Sequence, residues 1–103
     1  MRRYLLFFGL LVSSALPLLA LAQNRVPDCV TVSAHARWGA SAYNHVVGVA
    51  NACERPVRCR VATDVSPGET NITVPVGETR EVVTFLGSPA REFTPRVTCE
   101  LVQ

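Results

Sequence analysis

The residues of this chain with chemistry to offer are four cysteines (Cys29, Cys53, Cys59 and Cys99), two histidines (His35 and His45) and a cluster of arginines (Arg55, Arg58 and Arg60). Thiolates and imidazoles together bind soft metals, so Cys53 and Cys59 with His35 and His45 form one candidate ligand set. Their spacing matches no C-x2-C zinc pattern, and the chain holds no C-x-x-C redox pair. An even number of cysteines in an exported chain points instead to disulfides. Nucleophilic hydrolysis needs a Ser or Cys, a base and an orienting acid that meet in space. Neither histidine adjoins a G-x-S-x-G elbow, and the eight acidic residues are scattered singly. No catalytic, metal or cofactor site is expected, and the chain reads as a non-catalytic protein.

Export follows from the first 22 residues. Arg2 and Arg3 make a positive start, Tyr4 through Leu19 is almost uniformly apolar, and Ala20-Leu21-Ala22 is an A-x-A cleavage site. These are the parts of a secretory signal in order. Pro17 and the small residues near its end favour cleavage over retention as a membrane anchor. Arg2-Arg3 also fits a twin-arginine leader, but no cofactor motif follows that would require export in a folded state. Residues 23–103 then form the mature domain, expected in the periplasm or outside the cell.

Two of the ten arginines lie in the leader, so the mature part sets eight Arg against eight acids and is nearly neutral. That argues against electrostatic steering to nucleic acid or to an anionic membrane. The complete lack of lysine and the short leader point to a bacterial source with a GC-rich genome.

The elements that must position these groups are strands. Val and Thr are frequent, and Gly, Pro and Asn recur at short intervals. Cys29 to Trp38 alternates, with Val30, Val32, Ala34, Ala36 and Trp38 on one face. Gly39-Ala40-Ser41 turns the chain into Tyr43 to Cys53, where Gly48 marks a bulge or close backbone approach. Glu54-Arg55-Pro56 is the next turn. Val57 to Val65 alternates strictly, with Val57, Cys59 and Val61 opposed to Arg58 and Arg60. Ser66-Pro67-Gly68-Glu69 is a turn, and Ile72 to Val76, with Pro75 inside it, is an edge strand. Thr79 to Leu86 and Phe93 to Val102 complete the set, joined by the loop Gly87-Ser88-Pro89-Ala90-Arg91-Glu92. About six short strands predict an all-β fold, a small antiparallel two-layer sandwich, with a small barrel as the alternative.

A domain this size buries only about 60% of its unfolded surface, so covalent staples matter. Four cysteines allow three pairings. If Pro56 centres a hairpin, Cys53 and Cys59 face each other across it, and Cys29–Cys99 would tie the first strand to the last. In the loop-entropy model these bridges contribute roughly 2 and 4 kcal/mol. The second scheme is Cys29–Cys53 with Cys59–Cys99, the latter crossing between sheets.

Arg58 and Arg60 project from one polar strand face with Arg55 in the adjacent turn. They offer a contact for an anion or acidic glycan, weighed against a solvated face offset by Glu54 and Asp64. Trp38, before a turn, is either a sugar or protein contact or a lid on the core, and a thin core favours the lid. Asn71-Ile72-Thr73 fits the N-glycosylation pattern, which matters only in a eukaryote.

The turn leading into Gly77-Glu78-Thr79-Arg80-Glu81-Val82-Val83 resembles a segment of immunoglobulin-like modules in bacterial envelope proteins. Asn51-x-Cys53-x-x-Pro56-Val57-x-Cys59 is similar to the cysteine hairpin of small secreted bacterial proteins. The resemblance implies an immunoglobulin-like sandwich and transfers no active residues. The expected function is a secreted or periplasmic binding or structural module that contacts an envelope protein or polymer. One alternative is a disulfide-rich inhibitor presenting the Gly87–Glu92 loop. Another is a periplasmic metal carrier using His35 and His45.

Overall fold

A computed structural model of the chain describes residues 24–103. The expected signal segment, residues 1–22, lies outside the described residues. Six strands follow in order: β1 (Val30–Gly39), β2 (Ala42–Asn51), β3 (Val57–Thr63), β4 (Thr70–Val74), β5 (Thr79–Ser88) and β6 (Pro95–Leu101). They form two three-stranded sheets, β1-β2-β5 and β4-β3-β6, each antiparallel throughout. The all-β, two-sheet architecture is the one predicted.

Period-two alternation explains the layering. In β3, Val57, Cys59 and Val61 are buried while Arg58 and Arg60 are exposed. The buried valines of the first sheet (Val30, Val47, Val49 and Val82) share one core with Val57, Val61, Val74 and Val97 of the second. Valine suits this role because its branched Cβ packs on a pleated surface at little rotamer cost.

Turn chemistry sets the strand ends. Gly39 pairs with Ala42 across a two-residue loop, so Ala40 and Ser41 both take positive φ, 30° and 81°. β4 stops before Pro75, which cannot donate to a ladder, and Gly77 carries the chain onward at φ 78°. Within β5 the register against β2 shifts twice, between Tyr43 and His45 and between His45 and Val46. Gly87, at φ 73°, supplies the left-handed residue that such a bulge uses. Gly48 is a close approach rather than a bulge: a Cβ there would stand 2.7 Å from Ser33 Oγ.

The segment before β1 belongs to the second sheet. Arg25 bridges Thr98 in parallel: its N–H donates to Val97 at 2.7 Å and its carbonyl accepts from Cys99 at 3.0 Å. Asn24 Oδ1 accepts from the Val97 N–H. Continued pairing would require an N–H at residue 27, which is Pro27. Its carbonyl instead accepts from Val30 N–H, and the chain passes into β1.

The cysteine pairing differs from the first scheme. The bonds are Cys29–Cys53 and Cys59–Cys99, with Cα separations of 5.0 and 4.0 Å. Cys53 and Cys59 do not face each other across a hairpin, because Cys53 to Pro56 is not a hairpin turn. It carries the chain from one sheet to the other, so β2 and β3 never pair. Cys29 lies beside Cys53, since the Ala52 N–H donates to the Cys29 carbonyl. Cys59 and Cys99 are register partners on β3 and β6. Their bond therefore lies within one sheet and does not cross between the two.

Candidate functional site: an arginine-lined groove

The outward face of the second sheet carries a concavity that brings two of the predicted contact residues together. β3 is its central strand. Arg58 and Arg60 leave this face two residues apart, as alternation requires. Asn71 on β4 and Thr98 on β6 stand on either side of Arg60, and Glu100 on β6 stands opposite Arg58. The short side chains beside Arg60 leave a depression of ≈ 410 Å³, lined by these five residues and Cys99.

The two guanidinium groups are differently occupied. Arg60 Nε lies 3.8 Å from Glu69 Oε1, a loose ion pair with both side chains more than half exposed. Such a pair contributes little. Arg58 has no carboxylate within ion-pair distance among the described residues. A guanidinium presents a planar fork of donors that matches carboxylate, sulfate or phosphate. Asn71 adds a neutral amide and Thr98 a hydroxyl. Glu100 puts one negative charge beside them.

Arg55 is not part of this groove. It lies in the crossover, where its Nη1 donates to Gln103 Oε1 at 2.8 Å. Trp38 is not the core lid that its strand-end position predicted. β1 and β2 each run ten residues against seven for β3 and β6, and of β1 only Val30 and Val32, at the end away from the hairpin turn, join the core shared with the second sheet. Trp38 sits at the hairpin tip, 65% exposed, edge-on to Tyr43 with ring centroids 4.9 Å apart.

The histidines lie on opposite faces of the first sheet. His35 is exposed and pairs with Val46, whereas His45 pairs with Ala36 and is fully buried. One metal ion cannot draw on both. No group of three or more His, Cys, Asp or Glu that could hold a metal is found among the described residues, and all four sulfurs are in disulfides.

His45 has a different task, which its sequence position did not show. Phe93 stacks on its ring with centroids 4.1 Å apart and planes 12° from parallel, and Phe85 approaches at 6.0 Å. Nε2 lies 2.7 Å from the Ala90 carbonyl. A carbonyl only accepts, so Nε2 is the donor in this contact. Nδ1 is buried with no partner. The loop after β5 is thereby pinned onto the sheet. The Ala90 N–H also donates to the buried Ser88 hydroxyl at 3.0 Å, while Pro89, Arg91 and Glu92 face outward.

Asn51 is the other residue that sequence reasoning missed. It is 2% exposed at the end of β2. Its amide donates to the Arg55 carbonyl (2.9 Å) and the Val74 carbonyl (3.0 Å), and its Oδ1 accepts from the Cys53 N–H at 2.7 Å. One side chain thus shapes the crossover and ties β2 to β4 in the opposite sheet. An Asn two residues before a cysteine in a turn is the only signal that marked it.

No helix among the described residues is long and apolar enough to cross a membrane. No protein-family model, no curated protein and no solved structure matches the chain.

Proposed function

We propose that this chain is a secreted, non-catalytic binding module that holds an acidic glycan of the cell envelope in the groove on the outer face of β4-β3-β6. The observation that carries the proposal is the placement of Arg58, without an ion pair among the described residues, and Arg60, loosely paired, in one concavity with Asn71 and Thr98. Arginine forks take the carboxylate or sulfate, and the amide and hydroxyl serve sugar hydroxyls. Glu100 disfavours a densely charged polyanion and suits a ligand that alternates acidic and neutral groups. The two disulfides fit an oxidising compartment. The strand order supports the immunoglobulin-like part of the reading: β2 pairs with β5 in one sheet and β3 with β6 in the other.

Titration of the purified, oxidised protein with a uronate oligosaccharide tests this by calorimetry or amide shift mapping. Binding that weakens with added salt is expected, together with shifts centred on Arg58, Arg60, Asn71 and Thr98. Arg58→Ser with Arg60→Ser should reduce affinity at least tenfold, about 1.4 kcal/mol or more. Arg55→Ser and Trp38→Ala should leave it unchanged. Equal binding by the double variant would overturn the assignment.

The pinned loop after β5 favours a second reading, an inhibitor. A loop held from beneath by His45 and Phe93 offers Pro89, Arg91 and Glu92 with little ordering left to lose on binding. A protease panel checks it: stoichiometric inhibition abolished by Arg91→Ala is the outcome this reading requires.

A further inference from the structure

Each sheet has two outer strands, and three of these four edges are blunted. β4 is five residues long and stops before Pro75. The β6 edge is partly covered by Asn24 and Arg25. β5 is interrupted by two register shifts. β1 has none of these devices. It pairs with β2 over ten residues without a shift and contains no proline.

The hydrogen-bond phase of β1 follows from its two ends. Asn51 spends both backbone groups on the β5 side, donating to Glu78 and accepting from Gly77. Its partner Val30 is therefore a non-bonded position, whereas Cys29 accepts from Ala52. Alternation along an antiparallel ladder then turns the N–H and C=O of Val32, Ala34, Ala36 and Trp38 away from β2. No backbone group among the described residues takes them. Arg37, the one residue on β1 always charged, does not guard this edge. Its side chain reaches in the other direction, to Glu81 on β5 at 2.8 Å.

We infer that β1 is an association edge, and that its occupant is β1 of a second copy, paired antiparallel about a two-fold axis at Ala34. The strand is self-complementary in this register. Ala34 opposes itself, Val32 opposes Ala36 and Val30 opposes Trp38, so only apolar residues meet on one face. On the other face Ser33 opposes His35 and Thr31 opposes Arg37, and no two like charges meet. A two-fold axis makes the contact isologous and closed, which stops further growth. The near-neutral mature chain adds no long-range repulsion. The groove of the second sheet takes no part, so this inference stands apart from the glycan proposal.

Sedimentation equilibrium of the oxidised protein provides the test. A concentration-dependent dimer is expected. Ala34→Asp places two carboxylates across the axis and should weaken association at least tenfold, as should Ala34→Lys. An equimolar mixture of the two variants should restore the dimer, and far-UV circular dichroism should report the same sheet in all samples. A wild type that stays monomeric at millimolar concentration would overturn the inference. So would a dimer indifferent to Ala34→Asp, failure of the mixture to recover, or an edge that pairs only with an unrelated extended peptide.

Discussion

At the scale of single residues, two buried polar side chains hold what the strands cannot. Asn51 makes three hydrogen bonds across the crossover. Asn51→Ala leaves two carbonyls and an amide without partners in a buried place, and should cost about 3 kcal/mol in urea unfolding with an unchanged slope. Asn51→Asp keeps the acceptor but loses both donations, and should be destabilising as well. His45 supports the loop after β5 through Phe93 and Ala90. His45→Ala removes a buried ring and should cost about 2–4 kcal/mol, with faster amide exchange at residues 89–94. A fall in stability without faster exchange there would mean that the loop is held by something else. Neither role was legible in the sequence. Both depend on partners more than twenty residues away, Val74 for Asn51 and Ala90 for His45, and side-chain type alone does not name a distant carbonyl.

At the scale of elements, alternation was a good guide. β1, β2 and β5 fall close to their predicted spans, and the Arg58/Arg60 face is where the pattern put it; β4 is an outer strand as expected, but it runs Thr70–Val74, so Pro75 ends it and does not lie inside it. What alternation lacks is the identity of a strand's neighbour. Glu54-Arg55-Pro56 reads equally well as a hairpin turn or as a passage between sheets, and the choice decided the cysteine partners. Trp38 failed for a related reason: its face was right, but nothing in the sequence said that β3 and β6 would be shorter than β1 and β2. The first hairpin also bears a strain that can be relieved. Ala40 and Ser41 both occupy positive φ, where a Cβ costs about 1–2 kcal/mol. Ala40→Asn with Ser41→Gly gives the residues that a two-residue hairpin prefers. Thermal unfolding should then shift upward by roughly 4–8 °C per kcal/mol gained. The opposite is expected at Gly87, where the space beside the residue is open but φ is 73°. Gly87→Ala should cost about 1–2 kcal/mol for conformational reasons alone.

At the scale of the whole molecule, the disulfides are the largest single constraint. They close separations of 24 and 40 residues, worth about 3.5 and 4 kcal/mol in the loop-entropy model. A non-reducing peptide map should return Cys29 linked to Cys53 and Cys59 linked to Cys99. Cys59→Ala with Cys99→Ala should lower unfolding free energy by about 4 kcal/mol, a large part of what a small domain has. The distribution of these two bonds also gives the protein a mechanical anisotropy. One lies inside a single layer, and the other fastens the start of β1 to the crossover. Neither rivets layer to layer. A force that shears β3 against β6 meets a covalent bond, whereas a force that peels the two layers apart meets valine against valine and the hydrogen bond from Asn51 to the Val74 carbonyl. Pulling from anchor points on β1 and β4 should rupture the oxidised domain at far lower load than pulling from β3 and β6.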